Sequence, residues 1–194
     1  MGRRARGGRA GFTLTELMIT VAIFGIMSAV AMPLLGRALE RYRLGMAIRE
    51  VERELQTARV KAVAANRPIQ VLFDCPVAGQ FRRVEVLSEP GVPDARDNQL
   101  TRCDATTFPY PAADTDPVTR PNNDGPLHYL VPGIAFTGVS GIEFHSDGTA
   151  FSDAAGGTIA WSTIPVAGVS VTLTKDGVNR TILVNGMGRV FLQP

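Results

Sequence analysis

Gly11-Phe12-Thr13-Leu14-Thr15-Glu16-Leu17-Met18-Ile19-Thr20-Val21-Ala22-Ile23 decides how the rest of this sequence is read. A basic leader with Arg3, Arg4, Arg6 and Arg9 precedes it, and an apolar run follows as far as Leu35. From Leu17 to Leu35 there is no charge, which approaches the roughly 20 apolar residues a helix needs to cross a bilayer. One carboxylate, Glu16, stands at the start of that run. A lone acid in a membrane segment costs about 2.5–3.5 kcal/mol on insertion scales and marks a functional position by default.

The segment Gly11-Phe12-Thr13-Leu14-Thr15-Glu16 resembles the processing motif of type IV pilins and type II secretion pseudopilins. The resemblance implies cleavage by a prepilin peptidase between Gly11 and Phe12, N-methylation of Phe12, and a role for Glu16 in filament assembly. A secretory signal peptide is the bland alternative for residues 1–35. It needs a shorter apolar core and a small-residue cleavage site beyond it, and Ser28-Ala29-Val30-Ala31 is a poor version of one.

The chain has 194 residues, enough for one domain and a membrane anchor. Its net charge is +2; without the four leader arginines it becomes −2, so the basic balance does not argue for nucleic acid. Those arginines instead fit the positive-inside rule and hold the leader in the cytoplasm.

Residues 12–35 are expected to form a transmembrane helix, with Gly25 and Pro33 inside it; membrane helices tolerate such residues. Residues 36–67 continue it amphipathically. Leu44, Ile48, Val51, Leu55, Ala58, Ala62 and Ala65 fall on one stripe, with Arg41, Arg43, Arg49, Glu50, Arg53, Glu54 and Arg59 elsewhere. Arg67-Pro68 closes the helix, because a residue before proline avoids the α region. One helix of roughly 80 Å follows from 1.5 Å per residue. A break near Gly36, giving a separate core helix, is the alternative.

After Pro68 the period changes to two. Residues 69–73 and 82–87 read as a first hairpin. Residues 88–126, rich in Pro, Asp, Asn and Thr, read as a long loop: a partner contact, or a tolerated insertion pinned by Cys103. Strands are then expected at 134–136, 141–144, 149–151, 158–161, 169–174, 180–184 and 189–192. Ser146-Asp147-Gly148 and Lys175-Asp176-Gly177 mark turns. This predicts an α+β fold: the long helix across one antiparallel sheet with a solvated face, in a β-rich domain over 68–194.

Ala58-Arg59-Val60-Lys61-Ala62, Asn66-Arg67-Pro68-Ile69-Gln70-Val71, Ile142-Glu143-Phe144-His145-Ser146-Asp147-Gly148-Thr149 and Gly188-Arg189-Val190 resemble minor pseudopilins of the GspH/FimT type. That resemblance implies a minor pseudopilin near the tip of a type II secretion pseudopilus, anchored in the inner membrane with its C-terminal domain in the periplasm. Its partners would be the prepilin peptidase and other pilins or pseudopilins. The alternative is a minor type IV pilin acting in pilus assembly or DNA uptake. Some relatives end in a Gly-Arg-x-Arg tail, whereas here Phe191 stands at the second arginine. A patch of Arg82, Arg83, Arg180 and Arg189 remains the candidate nucleic-acid contact.

Cys75 and Cys103 do not form a Cys-x-x-Cys motif. An oxidising periplasm permits a disulfide between them. No catalytic constellation, cofactor motif or small-molecule site is visible, so the chain reads as a non-enzyme. Asp114, Asp116 and Asp124 do not match a calcium loop, His128 and His145 read as surface or satisfied residues, and Trp161 reads as core.

Overall fold

The computed structural model describes residues 12–88, 97, 102–110, 123–153 and 161–193. It divides into two units, Met1–Arg41 and Tyr42–Pro194. The leader and most of the loop prolines lie outside the described residues, as does the expected strand at 158–160.

One helix, α1 (Leu14–Ala65), serves both units. It runs through position 36 as a single element, so the break entertained there does not occur. In the first unit, every side chain described from 12 to 36 is exposed. By length and composition this helix is able to cross a membrane. A helix that is apolar all round needs lipid or other helices around it.

In the second unit, Leu44, Ala47, Ile48, Val51, Leu55, Ala58 and Ala62 are buried as a stripe. Alanine lets the helix backbone come close to a sheet. The helix ends on Asn66, whose φ is 52°, and the amide of Arg67 donates back to the Ala62 carbonyl at 3.3 Å. Asparagine tolerates this left-handed terminus, and Pro68 then prevents continuation.

The strands are β1 (Ile69–Phe73), β2 (Gln80–Glu85), β3 (His128–Tyr129), β4 (Ala135–Gly138), β5 (Gly141–Phe144), β6 (Ala150–Asp153), β7 (Trp161–Thr163), β8 (Val169–Lys175), β9 (Val178–Val184) and β10 (Val190–Gln193). They form two sheets, not the single one expected: β3-β2-β1-β5-β6-β7 and β10-β9-β8-β4, in which every pairing is antiparallel. The chain passes from the smaller sheet to the larger between β4 and β5. Gly138 makes that corner possible: its φ is 113°, and a Cβ there would run into the Ser170 carbonyl.

The faces of the larger sheet follow from its register. Ile69 and Val71 pair with Phe144 and Ile142, and Phe73 pairs with Phe81. These side chains join the helix stripe in the main core, with Val171, Leu173, Ile182 and Val184 from the smaller sheet. The intervening Leu72 and Val84 point the other way and pack with Cys75, Cys103 and Trp161 in a second cluster. The far face is therefore covered at β1 and β2, where a solvated face was expected. Residues 102–110, Asp124 and Gly125 provide hydrogen-bonding partners on that side, described below.

Candidate functional site

At the membrane end, Gly11 lies outside the described residues, and Phe12 is exposed ahead of the helix. Thr13 precedes the first helical residue, and its Oγ1 accepts a hydrogen bond from the Glu16 amide at 3.3 Å. Thr13 is therefore the N-cap and Glu16 the third helical residue, the spacing of a capping box. An acid in the first turn also complements the positive pole of the helix. The spacing Thr13-x-x-Glu16 is itself the sequence signature of such a box.

The basic patch is not assembled. Arg82 and Arg83 are 1% and 5% exposed, which removes them from any surface that reaches phosphate. Arg83 faces α1, where its Nη1 meets Glu54 Oε1 at 2.6 Å. Its Nε donates to the Asn123 carbonyl at 2.9 Å. Arg82 points to the opposite face. Its Nε donates to Gly125 O at 3.0 Å, Nη1 to Arg102 O at 3.0 Å, and Nη2 to Phe108 O at 2.6 Å. One guanidinium thus satisfies three loop carbonyls, using its fixed fork of donors. Arg180 and Arg189 stay exposed, and Arg189 borders a shallow groove with Arg59 and Phe191.

Arg102 and Asp124 complete the buried network. Arg102 Nη2 donates to Asp124 Oδ1 at 2.6 Å and to Glu85 O at 2.8 Å. The Asp124 carboxylate also accepts from the Glu85 amide at 2.7 Å. Burial pushes its pKa up, against the pull of Arg102 and that amide. Asp124 is thus committed to the protein interior, while Asp114 and Asp116 lie outside the described residues. Cys75 and Cys103 stand with Cα atoms 5.1 Å apart and are joined as a disulfide, so the same segment is tied at a second point.

Both histidines have carboxylate partners. His128 Nδ1 lies 2.8 Å from Glu50 Oε1, and its ring stacks on Phe81 at 4.7 Å. His145 Nε2 lies 2.6 Å from Glu143 Oε1, and Gln70 Nε2 donates to Glu143 Oε2 at 2.7 Å. Among the described residues, no group of three His, Cys, Asp or Glu side chains is placed to hold a metal. Trp161 is half-buried beside the second cluster and borders a cavity with Glu143 and His145.

Residues 6–32 match the family model described as the prokaryotic N-terminal methylation motif. No curated protein sequence matches. Among solved structures, the chain is similar to the type IV minor pilin FimU of Pseudomonas aeruginosa, at 18% identity and a TM-score of 0.47, over 80% of this chain and 91% of that one. It is also similar to the minor pseudopilin EpsH from the Type 2 Secretion System of Vibrio cholerae, at 9% identity and a TM-score of 0.45, over 78% of this chain and 96% of that one.

Proposed function

We propose that this chain, whose N-terminus carries the prokaryotic N-terminal methylation motif, is a minor pseudopilin of type II secretion. It is a structural subunit that starts in the inner membrane with its C-terminal domain in the periplasm. After leader cleavage between Gly11 and Phe12 it enters a short filament at or near the tip. The observation that carries this reading is the motif at 6–32, which runs from the basic leader into the apolar first part of α1, where Glu16 is the acid of the first turn.

Cleavage gives Phe12 a new cationic amine, which methylation keeps charged. Glu16 in lipid needs a cation, because an unpaired buried charge is strongly unfavourable. The amine of one subunit meets the Glu16 carboxylate of its neighbour and sets their register. A bulky residue at position 11 stops the peptidase, which must approach the backbone closely.

N-terminal sequencing of native material tests the reading: the chain should begin at Phe12, and a start at Met1 or beyond Ala31 overturns it. Glu16→Ala should be processed normally but enter filaments poorly; full incorporation sinks the charge-pairing step. The second reading is a minor type IV pilin, since the leader motif serves both machines. Deleting the chain separates them: loss of protein export supports the first, and loss of pili supports the second. DNA binding has lost half its candidate residues to burial and is not part of the proposal.

A further inference from the structure

We propose that the cavity beside the end of α1 is a binding site for a neutral saccharide. It is an open cavity of about 730 Å³, lined by Arg67, Gln70, Glu143, His145, Ser146 and Trp161, among others. That volume lies within the roughly 300–1,000 Å³ of small-ligand pockets.

The charges at its wall are already paired within the protein. Glu143 accepts from Gln70 Nε2 on one oxygen and lies 2.6 Å from His145 Nε2 on the other. Arg67 Nε lies 3.4 Å from Glu85 Oε1. An ion entering the cavity would therefore find no unpaired opposite charge in these groups. What they offer is directional bonding of both senses: an amide, a carboxylate, an imidazole, a hydroxyl and guanidinium donors. This mixture suits hydroxyl groups, which both donate and accept.

The wall also contains an indole, that of Trp161. A Cβ at position 141 would sit 3.1 Å from Trp161 Cη2 and 3.2 Å from Leu72 Cδ2, so glycine there makes room for the ring. Gln70 and Glu143 face each other across the β1–β5 ladder and are held rigidly, both buried. His145 is held by stacking on Phe151 at 4.3 Å. A flat apolar ring beside fixed planar polar groups matches a pyranose, which has an apolar face of C–H bonds and a rim of hydroxyls.

Trp161 is the only tryptophan in the chain, so its fluorescence reports on this cavity directly. The full chain, in micelles of a detergent without a sugar headgroup, is titrated with tetramers of N-acetylglucosamine and of glucose, and with a neutral polyethylene glycol as control. At least one saccharide should shift the emission saturably, with a Kd on the order of 1 mM or tighter. Gln70→Leu keeps the volume and removes the bonds; Ser146→Ala trims the rim. Each should weaken binding several-fold while the domain still melts cooperatively. If Gln70→Leu fails to fold, Ser146→Ala alone decides. The proposal is overturned if neither saccharide gives a saturable shift, if the glycol gives the same shift, or if the folded variants bind as tightly as the native chain.

Discussion

Replacing Arg82 by methionine should loosen Phe108 and Gly125 from the larger sheet, while the disulfide at Cys103 and the Arg102–Asp124 pair still hold their neighbours. The native guanidinium donates three hydrogen bonds at 3.0, 3.0 and 2.6 Å to the carbonyls of Gly125, Arg102 and Phe108. Bonds from a charged group contribute roughly 1.5–3 kcal/mol each, and those sharing one group do not add fully. Part of the gain is offset already, because burial disfavours the charged guanidinium and presses its pKa down. Removing one partner from a buried charged cluster typically costs about 3–5 kcal/mol. At about 2–4 °C per kcal/mol for a domain of this size, the melting temperature should fall by roughly 6–20 °C. The assay is a circular-dichroism melt of the full chain in micelles, with the disulfide intact. Arg82→Lys keeps a charge but loses the planar fork, so it should recover little of the loss. A methionine variant within about 1 kcal/mol of the native chain would show that the three carbonyls are satisfied without the arginine.

Other perturbations reach different parts of the molecule. Mass spectrometry before and after reduction should show Cys75 and Cys103 gaining one hydrogen each, and the double serine variant should lose roughly 3–4 kcal/mol by chain entropy; free thiols in the untreated protein would contradict this. Asp104 should titrate at about 2, because the Thr107 hydroxyl bonds its carboxylate first and the Thr106 amide second. Its folded pKa lies below the ordinary 3.8, so its contribution is present above that value and fades as the pH falls toward about 2. Carboxyl NMR of Thr107→Val should show the pKa moving upward, and an unchanged curve would reject the hydroxyl as the cause. Gly186→Ala should destabilise by about 1–3 kcal/mol in denaturant unfolding, since a Cβ there presses on the Ile164 carbonyl; an unchanged midpoint would mean that the backbone moves aside freely.

The helix and most strands were legible because their residues repeat at fixed intervals. The stripe from Leu44 to Ala62 and the bounds of β1 and β5 follow from period alone. The second sheet was not legible, since alternation fixes which side of a strand is buried but not which neighbours it takes. The two-residue β3 is too short to leave a pattern. Arg82-Arg83 misled for a physical reason. Adjacent arginines read as surface, and the groups that draw them inward, Glu54, Arg102 and Gly125, lie far along the chain. The cavity was hidden likewise: Gln70 and Glu143 are 73 residues apart in sequence yet 2.7 Å apart in space.

A single side chain grips the carbonyls of Phe108 and Gly125, so the stretch joining those residues is pinched shut at its base by something that is not part of it. Ring closure is then paid largely by the scaffold, and each doubling of the enclosed length adds only about 0.6 kcal/mol. Losing that one side chain would therefore open the base of the stretch at both ends together, whereas Asn123 and Asp124 keep separate holds on Arg83 and on Glu85 and Arg102.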